Sequence, residues 1–210
     1  MSNILIVDDH AVVRAGLRQI ISGLFDAADT DEADGAVEAL TKIRKKKYSM
    51  VVLDISMPGK SGLDVLKEIR NEQPKLPVLM LSMHPEDQYA VRALRSGASG
   101  YMTKDSAPEE LLTALRTVAA GRKYISSDLA ERLAFNLDVD MKKDPHEMLS
   151  DREYQVLCMI ASGRTISEIG DQLSLSVKTI STYRGHILEK MQLKNNAELT
   201  NYAIRNNLVN

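Results

Sequence analysis

Four short apolar or β-branched runs recur along the first half of this chain: "NILIVDD", "MVVLDI", "PVLMLS" and "SGYMTK". Stretches with helical periodicity separate them. Strands that alternate with helices need crossover connections, so this order predicts an α/β fold, a doubly wound parallel sheet with helices on its faces. Leu17, Ile20, Ile21 and Leu24 give the first helix an apolar stripe, and Val37, Leu40 and Ile43 do the same for the second. A fifth strand is expected near residues 26 to 30, although "DAADTDEA" has little strand character. The last helix of this half, "APEELLTALRTVAAG", opens with Pro108 in its first turn and stops before Gly121. A first domain over residues 1–121 follows.

Beyond Gly121, "SDLAERLAFNL" reads as a short helix, and "DVDMKKDPHEM" is polar, charged and proline-bearing. Residues 122–148 are therefore expected to form a linker with a hinge near 138–148. From Ser150 the texture is helical only. "SDRE", "TISE" and "NNAE" each place a capping residue three positions before Glu, the pattern that satisfies orphan amides at a helix start. With one more start at Ser176, they predict a small all-α domain of four helices over residues 149–210.

Composition narrows the function classes. The chain carries 27 basic and 29 acidic residues in 210, with 44% hydrophobic residues, an ordinary balance for a soluble globular protein. No apolar stretch approaches the roughly 20 residues needed to cross a bilayer, and the N-terminus lacks a basic region followed by an apolar one. A cytoplasmic protein with no membrane partner is expected. The single cysteine, Cys158, sits among Tyr154, Leu157 and Ile160 and reads as core. The histidines, His10, His84, His146 and His186, lack the spacing of a metal site, so no transition-metal centre is expected.

Open α/β sheets present functional groups beyond the carboxyl ends of their strands. Asp8, Asp9, Asp54, Ser82 and Lys104 each finish or follow an apolar run, so they should converge on one edge. Three crowded carboxylates repel unless a cation neutralises them, and hard oxygen ligands point to Mg²⁺. A carboxylate, a lysine and a hydroxyl beside such an ion are suited to phosphoryl transfer, with Asp54 as nucleophile and Lys104 and Ser82 on the phosphoryl oxygens. Singly, each residue has a plainer reading. The "DD" pair is a turn or cap, Lys104 a surface residue, Ser82 a helix cap and Tyr101 core; the functional reading rests on their joint order.

"DDH", "LDISMPGKSGLDVL", "LSM" and "GYMTKD" resemble the receiver domain of bacterial response regulators. The resemblance implies a flavodoxin-like five-stranded sheet and an aspartyl phosphate at Asp54 received from a sensor histidine kinase. It further implies Mg²⁺ held by Asp8, Asp9, Asp54 and the main-chain carbonyl of Ser56, with Ser82 and Tyr101 switching together. One departure is that many receivers carry proline after the lysine, where this chain has Asp105.

In "TISEIGDQLSLSVKTISTYRGHILEKM" a helix, a turn through Ser174 to Ser176 and a second helix form a helix-turn-helix, whose second member lies in the DNA major groove. Ile180, Ile187 and Met191 should face inward, leaving Lys178, Thr182 and Gly185 outward. The expected DNA-facing set is Lys178, Thr179, Ser181, Thr182, Tyr183, Arg184, Gly185 and His186, with Lys190 among the phosphate contacts. Between 176 and 194 four basic residues face one acidic, a local patch in a domain whose net charge is near zero. The stretch from "LSDREYQVLCMIASG" to "ELTNYAI" resembles the LuxR-type helix-turn-helix domain, and joined to a receiver it is similar to the NarL/FixJ class. That class implies a homodimer when phosphorylated, promoter DNA as partner, and a final helix near 197–206 that pairs two copies.

Three rivals are weaker. An aspartate-nucleophile phosphatase needs a second acid two residues after the nucleophile, where this chain has Ser56. A nucleotide site would need a glycine-rich loop after the first strand. A phosphorelay adaptor acting only through protein contacts would show no salt-dependent DNA binding. The reading is a transcription regulator, not an enzyme.

Overall fold

A computed structural model describes residues 3–25, 29–83, 86–127, 129–131 and 144–209. The chain divides into two compact units, Met1–Ala130 and Glu131–Asn210. The first contains β1 (Asn3–Val7), α1 (Ala11–Leu24), β2 (Asp29–Ala33), α2 (Ala36–Lys45), β3 (Met50–Asp54), α3 (Gly62–Glu72), β4 (Val78–Ser82), α4 (Glu86–Arg95), β5 (Gly100–Thr103) and α5 (Pro108–Ala119). Its strands form one sheet in the order β2-β1-β3-β4-β5, with every pairing parallel.

Alternate residues of a strand point to opposite faces, and in β1, β3 and β4 both sets are buried. Ile4, Ile6, Met50, Val52, Leu79 and Leu81 pack with Leu17 and Ile21 of α1 and Ala114, Leu115 and Val118 of α5. Leu5, Val7, Val51 and Leu53, on the other face, are equally buried. Helices on both faces explain why these strands read as continuous apolar runs.

The fifth strand lies at 29–33, later than the expected 26–30, of which residues 26–28 lie outside the described residues. It occupies the sheet edge, where only Ala33 is buried, so "DTDEA" needs little apolar character. Val37 is a second correction: it is 83% exposed, and Ala36, Ala39, Leu40 and Ile43 form the buried stripe instead. At 100° per residue Val37 falls about 60° outside the arc that these four define.

The second unit holds a 3₁₀ turn (Pro145–Met148), α6 (Asp151–Ala161), α7 (Ile166–Leu173), α8 (Val177–Lys190) and α9 (Asn196–Arg205). All four expected caps are made: Ser150, Thr165, Ser176 and Asn195 each accept a hydrogen bond from the amide three residues on. Glu153 and Glu168 return the bond as full capping boxes, whereas the Glu198 carboxylate accepts from the Lys194 amide. Cys158 is buried. Most of the expected linker helix and hinge, 132–143, lies outside the described residues; so does His84. Among the described residues no peptide bond is cis, and no helix is long and apolar enough to cross a membrane.

Candidate functional site

The strand order reverses between β1 and β3, and the crevice beyond the carboxyl ends of those strands is where open α/β sheets bind ligands. Asp8 and Asp9 follow β1, and Asp54 ends β3. One ligand atom from each of Asp8, Asp9, His10 and Asp54 lies within 4.8 Å of all the others. Asp8 and Asp54 are each 1% exposed. The Lys104 ammonium reaches in from the loop after β5, 2.7 Å from Asp8 Oδ2 and 3.1 Å from Asp54 Oδ2.

One lysine does not satisfy three carboxylates. Asp8 Oδ2, Asp9 Oδ1 and both oxygens of Asp54 are buried without a well-directed hydrogen bond. Such orphaned acceptors cost on the order of 1–3 kcal/mol each, and more when charged. Burial pushes the Asp54 carboxyl above its usual value; Asp8 adds to this, while Lys104 and the facing Ser56 amide oppose it. Burial also works against the charge on Lys104, but Asp54 and Asp8 outweigh it and hold the ammonium pKa above its usual value. Hard oxygen donors with unused lone pairs fit a divalent cation better than any group present.

Main-chain hydrogen bonds and close packing tie the surrounding chain to this pocket. The Lys104 amide donates to the Ser82 carbonyl at 2.7 Å, locking the ends of β4 and β5 together. Ser82 and Tyr101 are both fully buried, Ser82 one residue beyond Leu81, the partner of Asp54 across β3 and β4. Ser56 is half-buried on the loop after β3. Gly62 closes that loop: its amide donates to the Ile55 carbonyl at 2.9 Å, and a Cβ there would stand 1.9 Å from the Asp54 carbonyl oxygen. Sequence reasoning gave two contributors no role. Arg14 donates from Nη1 to the Asp8 carbonyl at 2.7 Å and from Nε to Glu32 at 3.0 Å, bracing the turn after β1. The other is His10, whose Nδ1 lies 2.9 Å from Asp9 Oδ1 and 3.1 Å from Asp8 Oδ1.

In the second unit α7 and α8 meet through a tight turn. Ser174 adopts a left-handed conformation (φ 53°), and Gly170 lets the backbones close, since a Cβ there would lie 2.8 Å from the Leu175 carbonyl. Ile180, Ile187 and Met191 are buried, as their spacing requires. Lys178, Ser181, Thr182, Gly185 and His186 are exposed at helical spacing, while Thr179, Tyr183 and Arg184 are half-buried. Thr179 shares a hydroxyl bond with Ser176, and the Arg184 guanidinium donates to Asn196 at the start of α9.

Lys190 points elsewhere than expected. Its ammonium donates to both carboxylate oxygens of Glu153, at 2.9 and 2.7 Å. The same carboxylate completes the α6 capping box, and His186 Nδ1 lies 3.8 Å from it. Burial alone would raise the Glu153 pKa, but Lys190 and the Ser150 amide and hydroxyl bring it below the usual value. Glu153 thus ties the start of α6 to the last turn of α8.

An acidic pocket at a sheet's switch point, carried on one chain with a helix-turn-helix, defines a signalling protein with a DNA-binding output. The response regulator receiver domain family matches residues 4–116, and the luxR family of bacterial regulatory proteins matches residues 147–203. Response regulator UvrY of Escherichia coli strain K12 is 36% identical over 211 residues, covering 100% of this chain and 97% of that protein. Response regulator GacA of Pseudomonas aeruginosa is also 36% identical, covering 100% and 98%. Among solved structures, RcsB from Salmonella enterica serovar Typhimurium, bound to promoter rprA with the phosphomimetic BeF₃⁻, aligns with a TM-score of 0.65. That alignment has 26% identity and covers 96% of this chain and 98% of RcsB. The chain belongs to the response regulators, in the NarL/FixJ class that joins a receiver to a LuxR-type DNA-binding domain. It is a phosphorylation-controlled transcription regulator and not an enzyme.

Proposed function

We propose that Asp54 is the phosphoacceptor, and that phosphate on it controls dimerisation and sequence-specific binding to promoter DNA. The observation that carries this reading is the buried, under-satisfied carboxylate of Asp54 with the Lys104 ammonium 3.1 Å away. An oxygen of Asp54 forms a bond to phosphorus while the phosphorus–nitrogen bond of a kinase phosphohistidine breaks. The bonding pair returns to the donor imidazole, which takes up a proton. Lys104 pairs with the phosphoryl oxygens, Ser82 donates its hydroxyl to one, and Tyr101 moves with Ser82 as the switch.

Asp8, Asp9, Asp54 and the Ser56 carbonyl are the residues that would hold Mg²⁺, which supplies charge neutralisation for the incoming phosphoryl oxygens. The domain boundaries follow the same reading: a receiver over 1–121, a linker over 122–148 and the DNA-binding domain over 149–210. Lys178, Thr179, Ser181, Thr182, Tyr183, Arg184, Gly185 and His186 form the DNA-facing set, supported by the exposure of Lys178, Ser181, Thr182, Gly185 and His186 at helical spacing. A sensor histidine kinase, promoter DNA and a second copy of this chain are the partners, in the cytoplasm. RcsB, a structural relative, was captured on promoter DNA with a phosphomimetic, which favours this output.

The test is to treat the full-length protein with acetyl phosphate and Mg²⁺, then measure its mass and its affinity for promoter DNA. One phosphoryl group and tighter DNA binding are expected, both lost in Asp54→Asn. A mass gain retained by the variant would remove Asp54 from its role.

A further inference from the structure

We infer that His10 is a fourth ligand of the acidic pocket, which makes the site a mixed oxygen and nitrogen centre able to select a first-row transition ion over Mg²⁺. The inference rests on the reading of the pocket as a cation site and extends it to an imidazole.

His10 occupies the position just before α1, and its own amide donates to Asp8 Oδ1 at 2.8 Å, so the ring is anchored beside the carboxylates by its backbone. Nδ1 lies within about one hydrogen-bond length of both Asp8 Oδ1 and Asp9 Oδ1, at 3.1 and 2.9 Å, and Asp9 Oδ1 is among the orphaned acceptors. These atoms and one oxygen of Asp54 fit within 4.8 Å of one another, a spacing that a single ion can bridge. Two of the four side chains, Asp8 and Asp54, are 1% exposed, and the Lys104 ammonium that they share leaves lone pairs over for a cation.

The tautomer needed for ligation is accessible. The His10 side chain is 63% exposed, so an Nε2–H can donate a hydrogen bond to water while Nδ1 offers its lone pair to the pocket. Carboxylates and water suit Mg²⁺, whereas an imidazole raises affinity for Co²⁺, Ni²⁺ and Zn²⁺ far more than for Mg²⁺. Sequence spacing gave no hint of this, because the other ligands come from a different strand and from residues adjacent to His10. The consequence is that a transition ion competes with Mg²⁺ at the phosphoacceptor, coupling the signalling state to metal supply.

The experiment titrates full-length protein with Co²⁺ and with Mg²⁺ by calorimetry, in wild type, His10→Ala and Asp9→Asn. His10 is exposed and outside the core, so the alanine variant is expected to fold; its thermal transition checks this. His10→Ala should weaken Co²⁺ at least tenfold, about 1.4 kcal/mol, while Mg²⁺ changes less than twofold. In wild type Co²⁺ should also shift the proton resonances of the His10 ring strongly. Equal losses for both ions would make His10 a positioning residue and overturn the proposal, as would an unchanged Co²⁺ affinity. If neither ion binds wild type and Asp9→Asn is without effect, the cation-site reading itself falls.

Discussion

Replacing Asp54 by asparagine removes one negative charge from the pocket, and the geometry indicates that the metal-free protein should gain stability. Asp8 and Asp9 offer oxygens within 4.8 Å of Asp54. At an effective dielectric of about 20, a full charge at that outer limit contributes a repulsion of roughly 3.5 kcal/mol. The Lys104 ammonium at 3.1 Å returns about 5 kcal/mol of attraction on the same scale. Repulsion and attraction offset each other closely, and burial, the largest influence on this carboxyl, leaves a net penalty on the order of 1–2 kcal/mol. In EDTA, Asp54→Asn should therefore melt about 4–6 °C above wild type. The pH dependence has a definite sign. The folded Asp54 pKa is raised above 3.8, so the folded state holds this proton longer than the unfolded chain does. The destabilisation is absent in acid below 3.8 and builds as pH rises through the raised folded value. The advantage of the variant should grow in the same direction. Saturating Mg²⁺, at 100 times its Kd, should return about 2.7 kcal/mol to wild type and less to the variant. A variant that is less stable than wild type in EDTA at neutral pH, or an advantage that shrinks as pH rises, would refute the electrostatic account.

Gly62→Ala should lower both stability and the rate of phosphorylation by acetyl phosphate, because its Cβ collides with the Asp54 backbone; a loss of at least about 2 kcal/mol in urea unfolding is expected. Glu153→Gln should destabilise the helical unit by about 1–3 kcal/mol, since it removes the charge that holds Lys190. The wild-type advantage is complete above pH 4.5 and disappears as pH falls through the depressed folded pKa of Glu153, which chemical unfolding at several pH values would read. Lys178→Ala should reduce the slope of log affinity against log salt for duplex DNA by about 1, measured by fluorescence anisotropy; an unchanged slope would place Lys178 away from phosphate.

Several features were legible because a local rule and the fold agree. The four capping residues of the second unit are local chemistry, and each makes the expected bond. Asp8, Asp9, Asp54 and Lys104 could be grouped because a parallel sheet brings all its carboxyl ends to one rim. What escaped depends on tertiary position. The edge location of β2 lets a polar segment serve as a strand, which propensity alone does not reveal. The partner of Lys190, Glu153, is 37 residues away, so an exposed-looking lysine on the recognition helix is committed to structure. His10 was discounted for lacking histidine or cysteine neighbours at ligand spacing, a criterion blind to mixed sites assembled across strands.

The two margins of the sheet are finished differently. Beyond β5, Tyr124 forms a parallel bridge with Gly100 and covers part of that side. Beyond β2 the finish is electrostatic: Asp29, Asp31 and Glu32 stand along the outermost strand, and the Tyr48 hydroxyl and Lys46 keep Asp31 ionised to lower pH than usual. A second copy approaching edge to edge would have to strip water from these acids and from the Lys46, Arg14 and Arg18 cations paired with them, so growth of a continuous intermolecular sheet is disfavoured. Substituting those acids with threonine or valine should turn a well-behaved signalling protein into one that forms fibrils or precipitates.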